Sequence, residues 1–395
     1  MFRGGITIIQ TQSNKLNYIY QIQGVTYKVE TDVVDDTLNI MSSDSIPAKR
    51  EVYIKVSHDL NYYNWLCQAL DTQKLTVVRA TQEFNYLLGY LNLDDKEFKV
   101  LKSNLGYEDT PHIIIVRNKD DYEIISPSLN VSSSRFALRI IRENLLRDAE
   151  NEGAVMVHAA SLGLDGKGIL ICGNSGDGKT TFLSSMLLYA GAKYMSNDRT
   201  IIRTNRDGRM YASAYPLAMN LGLGTYQGVR SELDLCLEEV SRFHQFEHTL
   251  NKYQGLDWND EKTIKDFWYN KEKIQLTTVE VEKAFKTDSI QNIPISLVII
   301  PRLSHEKKEL VVKNIDFDEV EQLIIQNIYT PEDPDFKDEW LALRLGTKSE
   351  LNLQVEKFLN KIKGMNILSI ECGYNFLDIM RSSKGDFIKK LLKEY

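Results

Sequence analysis

The chain has 395 residues, with 48 Lys and Arg against 55 Asp and Glu, a formal net charge of −7 and 43% hydrophobic residues. That length suits two or three domains and that composition a globular fold. The negative balance offers no electrostatic footprint for nucleic acid, and no apolar run approaches the roughly 18 residues needed to span a bilayer.

Cys67, Cys172, Cys236 and Cys372 are far apart, with no C-x-x-C. Neither a disulfide framework nor a structural zinc site is indicated. The first residues lack a charged stretch followed by an apolar one, so no secretion signal is read and a reducing cytoplasm is expected.

Residues 1–130 read as a small α+β domain. Ile6–Gln10, Tyr18–Gln23, Val25–Glu30 and Glu51–Val56 are expected strands, with Gly24 in a tight turn between the second and third. Asn61–Leu70 and Thr81–Leu91 are expected helices. His112–Val116 and Tyr122–Ile125 flank a turn at Asn118–Asp121 and predict a hairpin. No catalytic constellation stands out there.

A helix is expected after Ser132-Ser-Ser-Arg-Phe136, with the serines as caps. Phe136, Ile140, Ile141, Leu145 and Leu146 make its apolar stripe. Arg139, Arg142, Glu143 and Arg147 are read as a solvated face. Ala154 to Leu164 then reads as one apolar strand carrying His158. The turn Asp165-Gly-Lys-Gly168 returns it to a second strand, Ile169–Cys172.

That second strand feeds Gly173-Asn174-Ser175-Gly176-Asp177-Gly178-Lys179-Thr180-Thr181, with the spacing G-x-x-x-x-G-K-T. Phe182, Leu183, Met186 and Leu187 recur at helical spacing behind it. Strand, glycine turn and helix are the context in which this spacing cradles phosphate, with Lys179 on the β/γ-phosphates and the Thr180 hydroxyl on Mg²⁺. The helix is expected to end at Ala190-Gly191. Lys193 to Arg203 reads as strand, polar break, strand, and puts Ser196-Asn197-Asp198-Arg199 in the break. An acidic group there is placed to hold the metal or accept a hydroxyl proton.

Taken together, His158, the loop 173–181, Gly191 and Ser196-Asn-Asp-Arg199 resemble the HPr kinase/phosphorylase family. The resemblance implies an α/β phosphate-loop fold similar to phosphoenolpyruvate carboxykinase, occupying residues 131–395, and use of ATP and Mg²⁺ to phosphorylate a hydroxyl. It implies that Lys179 and Thr180 are the phosphate and metal residues, that His158 contacts the catalytic acid Asp198, and that Arg199 follows it. Two positions differ from that pattern. Asn197 stands where the family has the first of two aspartates, and Thr181 where the HPr-specific enzymes carry a glutamate. The implied acceptor is a protein or peptide serine or threonine other than HPr. A small-molecule kinase and a catalytically weak ATP-binding regulatory module are the alternatives.

Residues 231–289 read as a helical insertion rich in aromatics: Phe243, Phe246, Tyr253, Trp258, Phe267 and Trp268. His244 and His248 lie four apart beside Glu247, yet without H-E-x-x-H or a third ligand they do not make a zinc site. Beyond it, Ile295–Pro301 is an expected core strand, Glu309–Lys313 and Asn366–Glu371 are strands, and Asp316–Ile328, Trp340–Arg344 and Leu351–Lys363 are helices. A terminal helix is expected within Asp378–Glu394. No repeat or low-complexity segment appears, and a homo-oligomer is compatible with the sequence.

Overall fold

The structure is a computed structural model that describes residues 7–10, 15–35, 38, 47–79, 85–104, 110–129, 135–235, 240, 260, 272–304, 306 and 308–393. Its chain divides into two compact units. The first is Met1–Glu152 with Thr330–Leu351, and the second is Gly153–Tyr329 with Asn352–Tyr395. The division thus falls at 152/153 and not at 130/131, and residues 330–351 go with the first unit.

The first unit is built on one nine-stranded sheet. Its elements are β1 (Thr7–Gln10), β2 (Leu16–Ile22), β3 (Val25–Thr31), β4 (Arg50–His58), α1 (Leu60–Asp71), β5 (Thr76–Arg79), β6 (Asn85–Leu93), β7 (Lys96–Asn104), β8 (Ile113–Asn118), β9 (Asp121–Ser126) and α2 (Phe136–Asn151). The order is β1-β2-β3-β4-β9-β8-β7-β6-β5. Among the described residues only β4 pairs in parallel, with β3 and β9. Gln23 and Gly24 both have positive φ, 51° and 80°, which is the two-residue turn that matches the twist of a hairpin.

Two expectations fail in this unit for physical reasons. The described part of the expected helix 81–91 is a strand: Asn85–Leu93 is β6, paired along its length with β7 through a turn at Asp94-Asp95, both at positive φ. Residues 340–342 form bends and 343–344 have no regular structure, so no helix forms there. The polar face read on α2 is also half wrong. Arg147 is 1% exposed and Glu143 is buried. Arg147 pairs with Glu143 at 2.9 Å and Glu150 at 2.5 Å, and donates to the carbonyls of Phe336 and Asp338. The serines proposed as caps lie outside the described residues except for their neighbour Arg135, which caps α2 without a side-chain hydrogen bond.

The second unit contains β10 (Val155–Val157), β11 (Ala159–Leu164), β12 (Lys167–Cys172), α3 (Lys179–Ser185), β13 (Lys193–Ser196), β14 (Thr200–Thr204), β15 (Met210–Ala214), β16 (Met219–Gly222), α4 (Leu223–Val229), β17 (Lys273–Leu276), α5 (Thr278–Phe285), β18 (Asn292–Leu303), β19 (Val311–Asn314), α6 (Phe317–Gln326), α7 (Lys348–Lys363, which begins in the first unit), β20 (Asn366–Cys372), α8 (Phe376–Ser382) and α9 (Asp386–Lys393). α3 continues as a π-helical turn, Met186–Ala190, capped by Gly191 at φ 71°.

Its main sheet is mixed. β12, β18 and β20 run parallel, while β11 returns on β12 as the expected hairpin. Strands buried on both faces read as continuous apolar runs, and here the alternation sorts them into two cores. Ile169, Ile171, Leu297, Ile299, Leu368 and Ile370 face α3 and α8. Leu170, Cys172, Val298, Ile300 and Ile367 face α6 and α7. The parallel strands are therefore clamped between helices, and their C-terminal ends present the loops that carry the site. Of the expected helical insertion, the described part includes β17 and α5. The histidines and aromatics at 243–268 lie outside the described residues. Among the described residues no helix is long and apolar enough to cross a membrane.

Candidate active site

β12 leads into the loop 173–178, and α3 leads out of it. The loop closes on Asp177. Its Oδ2 accepts from the Asn174 N–H at 2.6 Å, and its own N–H donates to the Asn174 carbonyl at 3.3 Å. Gly176 and Gly178 both sit at φ 95°, where a side chain is strained. Gly178 has a second constraint: a Cβ there would meet the Leu303 side chain at 2.6 Å. The Leu303 N–H donates to the Asp177 carbonyl at 3.1 Å, so the end of β18 is stitched to the loop.

Lys179 opens α3 with its side chain folded back into the loop. It is 8% exposed, and Nζ donates to the carbonyls of Gly173 at 2.6 Å and Asn174 at 3.1 Å. Burial lowers its pKa, and the nearby Asp198 charge works against that. The first N–H groups of a helix have no intrahelical acceptor and form the positive end of its dipole, so they suit an anion.

The next two residues tie that helix end to its surroundings. The Thr180 hydroxyl donates to Asn197 Oδ1 at 2.9 Å, and the hydroxyls of Thr181 and Thr225 are 2.7 Å apart. Asn197, Asp198 and Arg199 occupy the turn between β13 and β14. That turn is held by the Ser196 hydroxyl on the Arg199 carbonyl and by the Thr200 hydroxyl on the Ala159 carbonyl at 3.0 Å.

His158 is not within one continuous strand. It stands at the break where β10, paired with β14, gives way to β11, paired with β12 and β13. Its N–H donates to the Asn327 carbonyl at 2.7 Å. The break aims the imidazole at Asp198, with Nε2 3.1 Å from Oδ1. Arg199 Nε lies 3.8 Å from Oδ2. Burial alone would raise the Asp198 carboxyl. The His158 hydrogen bond and charge, then Arg199 and Lys273, outweigh it and hold the carboxyl at about 2. Asp198 is therefore ionised at neutral pH.

One cavity of about 510 Å³ is lined by His158, Asn197, Asp198, Lys179, Thr180 and Thr181, together with Asn174, Ser175, Gly176 and Gly178. Gly173 and Asp177 shape the loop without lining it, and Arg199 reaches the cavity through Asp198. An adjoining groove of about 810 Å³ shares Asn174, Leu303 and Ser304 with the cavity. Among the described residues no group of three or more His, Cys, Asp or Glu is placed to hold a metal ion. Where α3 meets the turn between β13 and β14, the oxygen donors are the Thr180 hydroxyl, the Asn197 amide and the Asp198 carboxylate.

No family model matches the chain. No curated protein matches it by sequence. Among solved structures it is similar to the HPr(Ser) kinase/phosphatase from Coxiella burnetii, at 12% identity and a TM-score of 0.26, over 60% of this chain and 97% of that one.

The cavity also contains residues that sequence reasoning missed. Lys273 and Glu272 arrive from the start of β17, which pairs with β16 so that Lys273 lies opposite Gly222. Gly373 and Tyr374 follow β20. None sits in a motif. Each reaches the cavity through strand pairing between distant segments, which local spacing does not encode.

Proposed function

We propose that the protein is an ATP- and Mg²⁺-dependent kinase that transfers the γ-phosphoryl group to a serine or threonine hydroxyl of a protein or peptide. The observation that carries this reading is the meeting, in one cavity, of the α3 N-terminus, Lys179 and Thr180 with the ionised Asp198. The adjoining groove favours an extended acceptor over a small metabolite.

The residues divide the work. The loop and Lys179 neutralise phosphate charge and orient the γ-group. Thr180 is a hard oxygen donor that would hold Mg²⁺, an ion that takes few protein ligands, and Asp198 is either a second metal contact or the base. When bound, Mg²⁺ would neutralise charge on the β- and γ-phosphates. The acceptor oxygen forms a bond to the γ-phosphorus as the bond from phosphorus to the β–γ bridging oxygen breaks, and ADP leaves with that electron pair. The acceptor proton passes to the Asp198 carboxylate. A carboxyl held at about 2 is a weak base, so the proton moves late, when the attacking oxygen already carries positive charge. His158 and Arg199 hold the carboxylate in place. Asn197 accepts no proton, and its Oδ1 is taken up by Thr180.

That amide supports a second reading, an ATP-binding regulatory module with little turnover. The two separate with γ-labelled ATP, Mg²⁺ and cell lysate as acceptor source, comparing the wild type with Asp198→Asn. The kinase reading expects label on an acceptor, reduced about 10²–10⁴-fold in the variant, with ATP affinity little changed. Full activity in Asp198→Asn rejects that base assignment. Tight ATP binding by the wild type without transfer or hydrolysis establishes the module.

A further inference from the structure

Tyr329 belongs to no motif and does not line the cavity, yet its ring touches both partners of Asp198. The ring lies nearly parallel to the His158 imidazole, with centroids 5.4 Å apart and 16° between planes. The Arg199 guanidinium carbon is 5.5 Å from the same ring centroid. His158 meets one carboxylate oxygen of Asp198 and Arg199 approaches the other.

The backbone explains why the ring is there. Tyr329 N–H donates to the Met156 carbonyl at 2.9 Å, and His158 N–H donates to the Asn327 carbonyl at 2.7 Å. Val157 and Ile328 form the antiparallel bridge between them. Tyr329 is thus set in register with the strand break that aims His158. This short pairing fixes the ring, and the ring limits where the His158 and Arg199 side chains settle. Arg199 has several rotatable bonds, and its guanidinium rests on the aromatic face. His158 sits where pairing with β14 gives way to pairing with β12 and β13.

We infer that Tyr329 is a positioning residue: its ring holds His158 and Arg199 against Asp198, and so fixes the carboxylate that receives the acceptor proton. The turnover part of this inference rests on the kinase reading; the geometric part does not. Tyr329→Leu keeps apolar volume and removes the ring, and Tyr329→Phe keeps the ring. The first readout is the proton NMR signal of the His158 ring, assigned by its loss in His158→Gln. In the wild type it carries the ring-current shift of a stacked neighbour. Tyr329→Leu moves it toward the free-histidine position, and Tyr329→Phe leaves it shifted. The second readout is phosphoryl transfer. In Tyr329→Leu, kcat falls on the order of tenfold to a hundredfold while KM for ATP stays within about twofold, as expected when only orientation at the reacting group is lost. Tyr329→Phe recovers most of kcat.

An unmoved His158 signal in Tyr329→Leu overturns the inference. So does a Tyr329→Phe variant as impaired as Tyr329→Leu, or a loss of kcat matched by an equal loss of ATP affinity. A wild-type protein that binds ATP without turnover rejects the kinase reading alone, and the His158 signal then decides the role of Tyr329.

Discussion

The two units handle buried charge in opposite ways. In the first, Arg147 is enclosed and saturated: Glu143, Glu150 and two backbone carbonyls take its donors, and Arg344 shares Glu150 at 3.0 Å. In the second, Lys179 is nearly as buried but faces a cavity, and its Nζ is held by loop carbonyls that carry no net charge. A buried cation closed off by carboxylates holds a fold together. A cation held by neutral carbonyls at a cavity wall remains available to an anion. Burial alone does not distinguish the two; the chemistry of the partners does.

The comparison breaks if mutations at the two cations have the same consequence. The largest expected effect is in the first unit. Arg147→Ala leaves Glu143 buried without its cation and Glu150 with Arg344 alone, and should cost about 3–5 kcal/mol of stability, measured by denaturant unfolding. ATP affinity of the folded fraction should be unchanged. Lys179→Ala should do the reverse: ATP affinity drops about a hundredfold, equivalent to about 2.7 kcal/mol, by calorimetric titration, with little change in the unfolding midpoint. Gly178→Ala sharpens the view of the loop. A Cβ there is strained at φ 95° and meets Leu303, so about 1–3 kcal/mol of strain is expected, seen as weaker ATP binding and a lower melting temperature.

The first unit also carries a pH dependence, smaller than these effects over any single pH unit near neutrality. His112 is fully buried, stacked on Phe136 at 3.6 Å between centroids, with Nε2 2.9 Å from the Tyr86 hydroxyl. Burial, with the charges of Arg139 and Arg135 adding and the Thr110 carbonyl opposing, lowers its pKa to about 3. The unfolded chain takes up a proton near pH 6.5 that the folded chain refuses until about 3. The stability from neutral His112 is therefore complete above about 6.5 and is lost as pH falls toward 3, at up to about 1.4 kcal/mol per pH unit. In His112→Gln, the slope of melting temperature against pH in that window should flatten.

What could be read from sequence was local. The loop 173–181 announces itself because glycines, a lysine and the flanking apolar runs all lie within one short stretch. The hairpins at Gly24 and Asn118–Asp121 are legible through turn residues. β6 was not, because Tyr86, Leu87, Leu88 and Leu91 also fit a helical stripe, and the Asp94-Asp95 turn lacks the glycine that marks most such hairpins. Glu143 and Arg147 looked solvated because their helix gives no sign of Phe336, Asp338 and Arg344, which are brought to it by a segment nearly two hundred residues away. In the site, His158, Asn197 and Asp198 were legible as a resemblance, while Lys273, Tyr329 and Tyr374 were not, since each depends on pairing between remote strands or strand ends. His158 shows the limit well: the sequence marks the residue, but only the change of strand partner at that point explains its aim.

Consecutive threonines at the start of α3 have a mechanical consequence. Thr180 is tied to the turn that bears Asn197 and Asp198, and Thr181 to α4 through Thr225. The helix end works as a strut joining two walls, so neither wall swings open without breaking a hydroxyl bond at the same turn. Amide protons of the Asn197–Arg199 turn and of α4 should then exchange with solvent at a common rate, and removing either hydroxyl should let one wall breathe independently of the other.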